Sequence, residues 1–360
     1  MEKRRIAIFG LAGKEGRWFE AFFVAQGQEV RGIDPRLFDS PSIEELLAWA
    51  EVIFVAVPPR EVENVLRALR PHLRPEHIVL DVTSVKAPVF AGMQLHTGAS
   101  FVSIHPMCAP PKALSLNGQV MVVCSVQLNP QWQTWLDEFL AATGATLLWR
   151  KVDEHDQRTS IVQGLTHAVA HVMAATIRQL NIDFDEVMRF ASPVFRIALS
   201  WIGRILKQDI DLRQDIQFLN PWVLRVLEVF EQEARRFRSI IQDRDSTAFA
   251  SESRASVTHI GPEQLQAAFD LFADLNDVMV DRMAEHQLVF EIDARDDHAG
   301  AFVPIVQAFA KAGISLESTH SFRRPEGRRF LVTFDRPLDD PDVVRACQSS
   351  LSAAVRLVAK

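Results

Sequence analysis

His105 closes the apolar run FVSIHPMCAPP, Phe101–Pro111, and stands directly before a proline. An imidazole in that place can accept a proton near neutral pH, the task of a general base. The stretch Asp81-Val-Thr-Ser84-Val-Lys86 ends an earlier apolar run in the same way. Ser84, Lys86 and His105 therefore stand where two strands finish, and ligands of open α/β sheets bind at those carboxyl ends. Spacing by itself is met at least as well by a plainer arrangement, in which Ser84 caps a turn, Lys86 is solvated and His105 bonds locally. Cys108 needs no redox or nucleophilic part here and reads as a small packing residue.

A second group of residues suits a nucleotide. Gly10-Leu-Ala-Gly13-Lys-Glu-Gly16 lies between the strand read in RRIAIF and a helix running through Trp18 and Phe22. Backbone amides and a helix N-terminus at such a turn can hold a pyrophosphate. The turn departs from G-x-G-x-x-G: Leu11 occupies the first glycine position and Gly10 comes one residue early. Asp34 ends the next strand, QEVRGID, 18 residues past Gly16, where a carboxylate can accept hydrogen bonds from an adenosine ribose. Gly10, Leu11, Ala12, Gly13, Gly16 and Asp34 are the cofactor-binding candidates, with Ser84 and with Val57 and Pro58 at the end of EVIFVAVPP. The acid disfavours a 2′-phosphate and points to NAD, while Arg36 keeps NADP open.

The elements that must position these residues divide the chain into three. Strands and helices alternate to about residue 150, and the near-continuous apolar strands predict a parallel, doubly wound, Rossmann-like sheet. Ser40-Pro41 with Glu44 and Glu45 reads as a capped helix start. Residues 151–284 carry helical periodicity, interrupted at Ser192-Pro193 and Asn220-Pro221, and predict an all-helical substrate and dimerisation domain. From 285 to 360 the order becomes βαββαβ, the ferredoxin-like arrangement of a small regulatory domain.

Bulk properties exclude several classes. The 360 residues are 48% hydrophobic, enough for real cores, and carry a net charge of -7, which argues against nucleic-acid binding. Three cysteines without metal-ligand spacing argue for neither a disulfide framework nor a metal, and fit a reducing cytoplasm. No apolar run reads as membrane-spanning.

DVTSVK, IHPM, Glu154-His155-Asp156 and GRILKQDIDLRQDIQFLN follow one another in the order of the motifs of the prephenate/arogenate dehydrogenase family, which the chain resembles over about residues 4 to 280. The C-terminal unit resembles an ACT domain. The resemblance implies NAD-dependent oxidative decarboxylation of prephenate to 4-hydroxyphenylpyruvate, in tyrosine biosynthesis, by a homodimer. His105 then matches the catalytic histidine and Ser84 the serine that helps orient the histidine, the substrate hydroxyl and the nicotinamide. Arg204, in Trp201-Ile-Gly-Arg204, matches the arginine that binds the ring carboxylate, and His167 a histidine lining the substrate cleft. His167 is read as well by a satisfied histidine inside an apolar helix. Lys112 and Gln163 are further substrate-binding candidates, and Lys86, Asp215 and Asn220 are pocket or scaffold positions.

Departures bear on specificity. Where many relatives follow HPM with Gly-Pro-acid, this chain has Cys108-Ala-Pro-Pro-Lys112, without the acid. Arogenate carries an ammonium where prephenate carries a keto group, so the substitution favours prephenate. The effector loop reads Asp296-Asp-His298-Ala-Gly300 and lacks the usual proline, leaving aromatic amino-acid sensing and pure dimerisation both open. Arogenate or 4-amino-4-deoxyprephenate as substrate, and a non-catalytic NAD- and amino-acid-binding regulator, are the rival readings. A β-hydroxyacid dehydrogenase would need a lysine on the first helix after the nucleotide domain, and residues 154–204 contain none.

Overall fold

Seven apolar runs form one sheet: β1 (Arg5–Phe9), β2 (Glu29–Ile33), β3 (Val52–Val55), β4 (Ile78–Asp81), β5 (Ser100–Pro106), β6 (Val120–Gln127) and β7 (Thr146–Trp149). Their order is β2-β1-β3-β4-β5-β6-β7 in the computed structural model, which describes residues 1–358 other than 39, 94–97, 112–113, 284–286, 325–326 and 353. Helices α1 (Lys14–Ala25), α2 (Ile43–Trp49), α3 (Val62–Leu69), α4 (Ala87–Met93) and α5 (Gln133–Thr143) connect and cover the strands. The strand order reverses at β1, so β1 and β3 flank the crevice in which such sheets bind ligands.

Burial follows the pleat. Ile6, Ile8 and Phe54 pack on one face against Phe19, Phe22 and Phe23 of α1 and Phe139 of α5, while Ala7, Phe9, Ile53 and Val55 pack on the other against Leu46 and Leu66. Each such phenylalanine contributes roughly 1.5–3 kcal/mol on burial. This double-sided core fixes where the strands end.

Two local expectations are corrected. The sheet is not wholly parallel: β6 runs antiparallel to β5, and β7 parallel to β6. Among the described residues of the link from Met107 to Gln119 there is no crossover helix, and without one the chain returns antiparallel. The cap of α2 is Ser42, not Ser40, because only Ser42 can exchange hydrogen bonds with Glu45 three residues on, forming a capping box.

Beyond the sheet come α6 (Val152–Thr159), a π-helical turn at Ser160–Leu165, α7 (Thr166–Leu180), α8 (Phe184–Arg189), α9 (Pro193–Leu206), α10 (Ile210–Leu219), α11 (Val223–Asp243), α12 (Ser246–Ile260) and α13 (Pro262–Met283). The continuous helical run Val152–Leu180 is long and apolar enough to cross a bilayer by length and composition, with a mean hydropathy of 1.2 over its best window. That corrects the reading that no run reaches such length. It also carries the buried His155, Asp156 and His167, groups that a lipid-facing helix would not hold.

The chain forms two compact units, one of Met1–Leu180 with Ile202–Ile241, the other of Asn181–Trp201 with Gln242–Lys360. In the second, β8 (Gln287–Asp293), α14 (Val303–Lys311), β9 (Leu316–Arg324), β10 (Gly327–Phe334), α15 (Pro341–Ser350) and β11 (Val355–Val358) follow in sequence. The four strands form a sheet ordered β11-β8-β10-β9 with antiparallel neighbours. Phe290, Phe309 and Phe334 centre its core.

Candidate active site

The nucleotide turn sits at the β1–β3 crevice. Gly10 has a φ of +86°, and a Cβ there would lie 2.4 Å from the Ala56 carbonyl oxygen; at Gly16 it would lie 2.2 Å from Gly10 O. Only glycine permits both approaches. Gly13 caps α1 without a side-chain bond, leaving first-turn amides open to an anion. Leu11 departs from the fingerprint by packing on Gly32 of β2, where a Cβ would meet its Cδ2 at 2.6 Å. Ala12 N donates to Asp34 Oδ2 at 3.1 Å, and Val57 and Pro58 follow β3 on the opposite lip.

Asp34 is already held. Arg36 clamps its carboxylate through Nε at 2.8 Å and Nη2 at 2.7 Å, and the Arg36 amide adds a third bond at 3.0 Å. The Arg36 side chain, against the opposing cost of burial, brings the Asp34 carboxyl down to about 2. Asp34 is thus a fixed anion at neutral pH. These residues fit a dinucleotide: a glycine cradle for phosphates and an ionised acceptor for ribose hydroxyls.

His105 is the penultimate residue of strand β5 and is 3% exposed. Its Nδ1 stands 2.9 Å from His155 Nε2, and His155 Nδ1 stands 2.8 Å from Asp156 Oδ1. The Asp156 carboxylate also accepts the amides of Lys86 at 2.9 Å and Ala87 at 2.8 Å, at the start of α4. Acceptor carboxylate implies donor at His155 Nδ1, which leaves His155 Nε2 bare to accept from His105 Nδ1–H. The one unprotonated nitrogen of His105 is then Nε2. Burial, followed by the fields of His155 and Lys86, holds His105 well below the ordinary imidazole range, so it is neutral and able to accept a proton. His155 is lowered as well, by burial, with Asp156 acting in the opposite direction.

The scaffold beneath this line is fully bonded. Lys86 Nζ pairs with Asp81 at 3.1 Å and donates to Ile104 O at 2.7 Å, with Ser103 and Thr83 also donating to Asp81. Lys86 is therefore buried and structural, not solvated. Asn220 ties α10 to α6 through Asp156 O at 2.8 Å, and Asp215 pairs with Arg60 at 2.8 Å. Ser84 occupies the half-buried bend between β4 and α4, beyond the strand that pairs with β5.

The helical residues are arranged differently. His167 is 6% exposed with Nδ1 unpartnered, and Oε1 of Gln163, in the π-helical turn, is likewise buried without a partner. Arg204 is near enough, with His171 and Arg213, to depress His167. Lys112 lies outside the described residues. Among the described residues no three His, Cys, Asp or Glu side chains gather as metal ligands would. Sequence reasoning gave His155 and Asp156 no role, although their adjacency in Glu154-His155-Asp156 was the available signal; Arg213 carried none.

In the second unit, Arg328 pairs with Asp297 at 3.0 Å beside a cavity of about 500 Å³ that His298 and Gly300 also line. Asp296 instead pairs with Arg295 at 3.4 Å.

The first unit is thus a doubly wound nucleotide-binding fold with a buried, neutral imidazole at the end of a central strand. The sequence profile of "Prephenate dehydrogenase, nucleotide-binding domain" matches residues 26–149, and that of "Prephenate dehydrogenase, dimerization domain" matches residues 151–252. The chain belongs to the prephenate dehydrogenase family. It is 29% identical over 281 residues to a "Probable arogenate/prephenate dehydrogenase" of Methanocaldococcus jannaschii, covering 73% of this chain and 63% of that protein. A "T-protein" of Enterobacter agglomerans is 30% identical over 249 residues, covering 69% and 65%. The chain thus spans about two thirds or slightly less of the length of these relatives. In fold it is similar to prephenate dehydrogenase from Aquifex aeolicus, solved with hydroxyphenyl propionate and NAD+, at a TM-score of 0.60 and 18% identity over 72% of this chain and 99% of that one.

Proposed function

We propose that this chain is an NAD-dependent dehydrogenase that decarboxylates prephenate to 4-hydroxyphenylpyruvate. The observation that carries the reading is the buried line His105–His155–Asp156, which leaves one bare imidazole nitrogen at a strand end of the same sheet that carries the nucleotide turn. NAD, bound at the glycine turn, supplies the hydride acceptor. His105 Nε2 takes the proton of the ring hydroxyl, and the His155–Asp156 pair stabilises the imidazolium that forms. Ser84 orients the hydroxyl. Arg204 holds the ring carboxylate as a planar fork until it departs as carbon dioxide, and His167 lines the cleft. The ring becomes aromatic as hydride and carbon dioxide leave, and the imidazolium returns its proton to the phenolate oxygen to give the 4-hydroxyl of the product.

Purified protein given NAD and prephenate is expected to form NADH and carbon dioxide in equal amounts. Silence, with NAD still bound, would support the regulator reading; turnover of 4-amino-4-deoxyprephenate alone would move the reaction to the amine. We further propose a homodimer through the helical region, which exposes large apolar side chains such as Phe218 and Leu224 in the first unit and Phe269 and Leu271 in the second. Light scattering at the monomer mass would contradict it. The cavity beside Asp297, His298 and Gly300 supports an ACT-like domain that senses an aromatic amino acid. Equilibrium dialysis without binding of tyrosine, phenylalanine or tryptophan would remove that role.

A further inference from the structure

Four basic side chains from three helices gather in the first unit. His167 and His171 lie one turn apart on α7, Arg204 ends α9 and Arg213 lies on α10. Arg213 Nη1 donates to His171 Nε2 at 2.9 Å, which holds His171 as the neutral tautomer with its proton on Nδ1. Burial and then Arg213 keep His171 below its ordinary range. His167 is lowered by burial first, and then by His171, Arg213 and Arg204.

The cluster has no anion of its own. Neither Arg204 nor Arg213 has an ion-pair partner among the described residues. The acids of α10 are committed elsewhere: Asp211 and Asp215 to Arg60, Asp209 to the amides of Asp211 and Leu212. Arg213 Nε and His167 Nδ1 are buried without hydrogen-bond partners. The Arg213 Nε–H is always a donor, and a buried donor left unmade costs stability, so the missing complement is an acceptor-rich anion.

We propose that Arg213, steadied by His171, is a second carboxylate-binding residue of this site and selects a substrate whose side chain carries no cation. The inference rests on the reading above, in which Arg204 takes the ring carboxylate. Prephenate has a second carboxylate on its side chain beside a neutral keto group, whereas arogenate places an ammonium there. A guanidinium attracts that carboxylate and repels an adjacent ammonium, which would find no free acid among these residues. Specificity thus comes from a positive charge present on α10 as well as from the acid absent after His105-Pro106-Met107.

The test uses the full-length protein, the variants Arg213→Gln and His171→Phe, and two competitive probes. 3-(4-Hydroxyphenyl)propionate keeps the side-chain carboxylate and 4-ethylphenol lacks it. Arg213→Gln is expected to raise the KM for prephenate about 10- to 100-fold with kcat within about 3-fold, the loss of one charge-assisted contact. It should also erase the wild-type preference for the propionate over 4-ethylphenol and raise arogenate turnover relative to prephenate. His171→Phe leaves the charge but not its support; a smaller KM increase is expected, and it carries the test if Arg213→Gln loses its thermal transition. Unchanged KM and unchanged probe preference in a folded variant would overturn the assignment. Wild-type protein that oxidises neither prephenate nor arogenate would remove the functional reading itself, and the inference with it.

Discussion

Two polar clusters of the first unit, the network under His105 and the cluster around His167 and Arg213, treat their buried groups in opposite ways. Around His105, Asp81 is met by Lys86, Ser103 and Thr83, and Asp156 by His155 and two backbone amides. In the π-helical turn, α7 and α10, Gln163 Oε1, His167 Nδ1 and Arg213 Nε have no hydrogen-bond partner. Fully satisfied networks hold a geometry, and buried groups left open cost stability unless something binds them. The first network keeps His105 in one tautomer, and the second leaves polar atoms without partners in the protein.

That contrast can be broken at its satisfied end first. His105→Asn should lower kcat by about 10²- to 10⁴-fold, the usual worth of a general base, with NAD affinity measured by fluorescence titration nearly intact. At the open end, Arg204→Ala should mainly raise the KM for prephenate, by about 100-fold, as expected for a lost bidentate contact. An equal fall in kcat with constant KM would mean that Arg204 acts only in the transition state. Asp156→Asn removes the acceptor that fixes both imidazoles; kcat should drop about 10- to 100-fold in steady-state assays.

The pH profile sharpens the same point. In the proposed mechanism His105 works neutral, and its pKa is depressed in the folded protein, so activity is expected to be held at and above neutral pH and lost as pH falls through that lowered value. The acid limb of kcat/KM should therefore lie below the ordinary imidazole value of about 6.5. A limb above it would mean that His105 is not shielded as described. The smallest effect concerns Arg36. Freeing the Asp34 carboxylate in Arg36→Ala should tighten NAD binding about 2- to 5-fold and weaken NADP, by loss of one exposed charged contact; calorimetry reads both.

The parts legible in the sequence were those encoded locally. The glycine turn, Asp34 and the strand ends at Ser84 and His105 each follow from a few neighbouring residues and the period of the strands. The parts that were not legible join distant segments. His105 meets His155 across 50 positions, and Arg213 meets His171 across 42. The compensation of Leu11 by Gly32 likewise belongs to strand packing, and the reversal of β6 to its pairing with β5. Asp215 could be narrowed to pairing or substrate contact, and only the folded chain brings Arg60 to it.

The most direct test is wild-type kcat/KM for prephenate and arogenate, measured side by side with NAD. A satisfied base line and an unpaired cationic cluster together call for a dicarboxylate without an ammonium, with prephenate favoured at least about 10-fold, the worth of one charge-assisted contact. Equal or higher kcat/KM with arogenate would contradict the account.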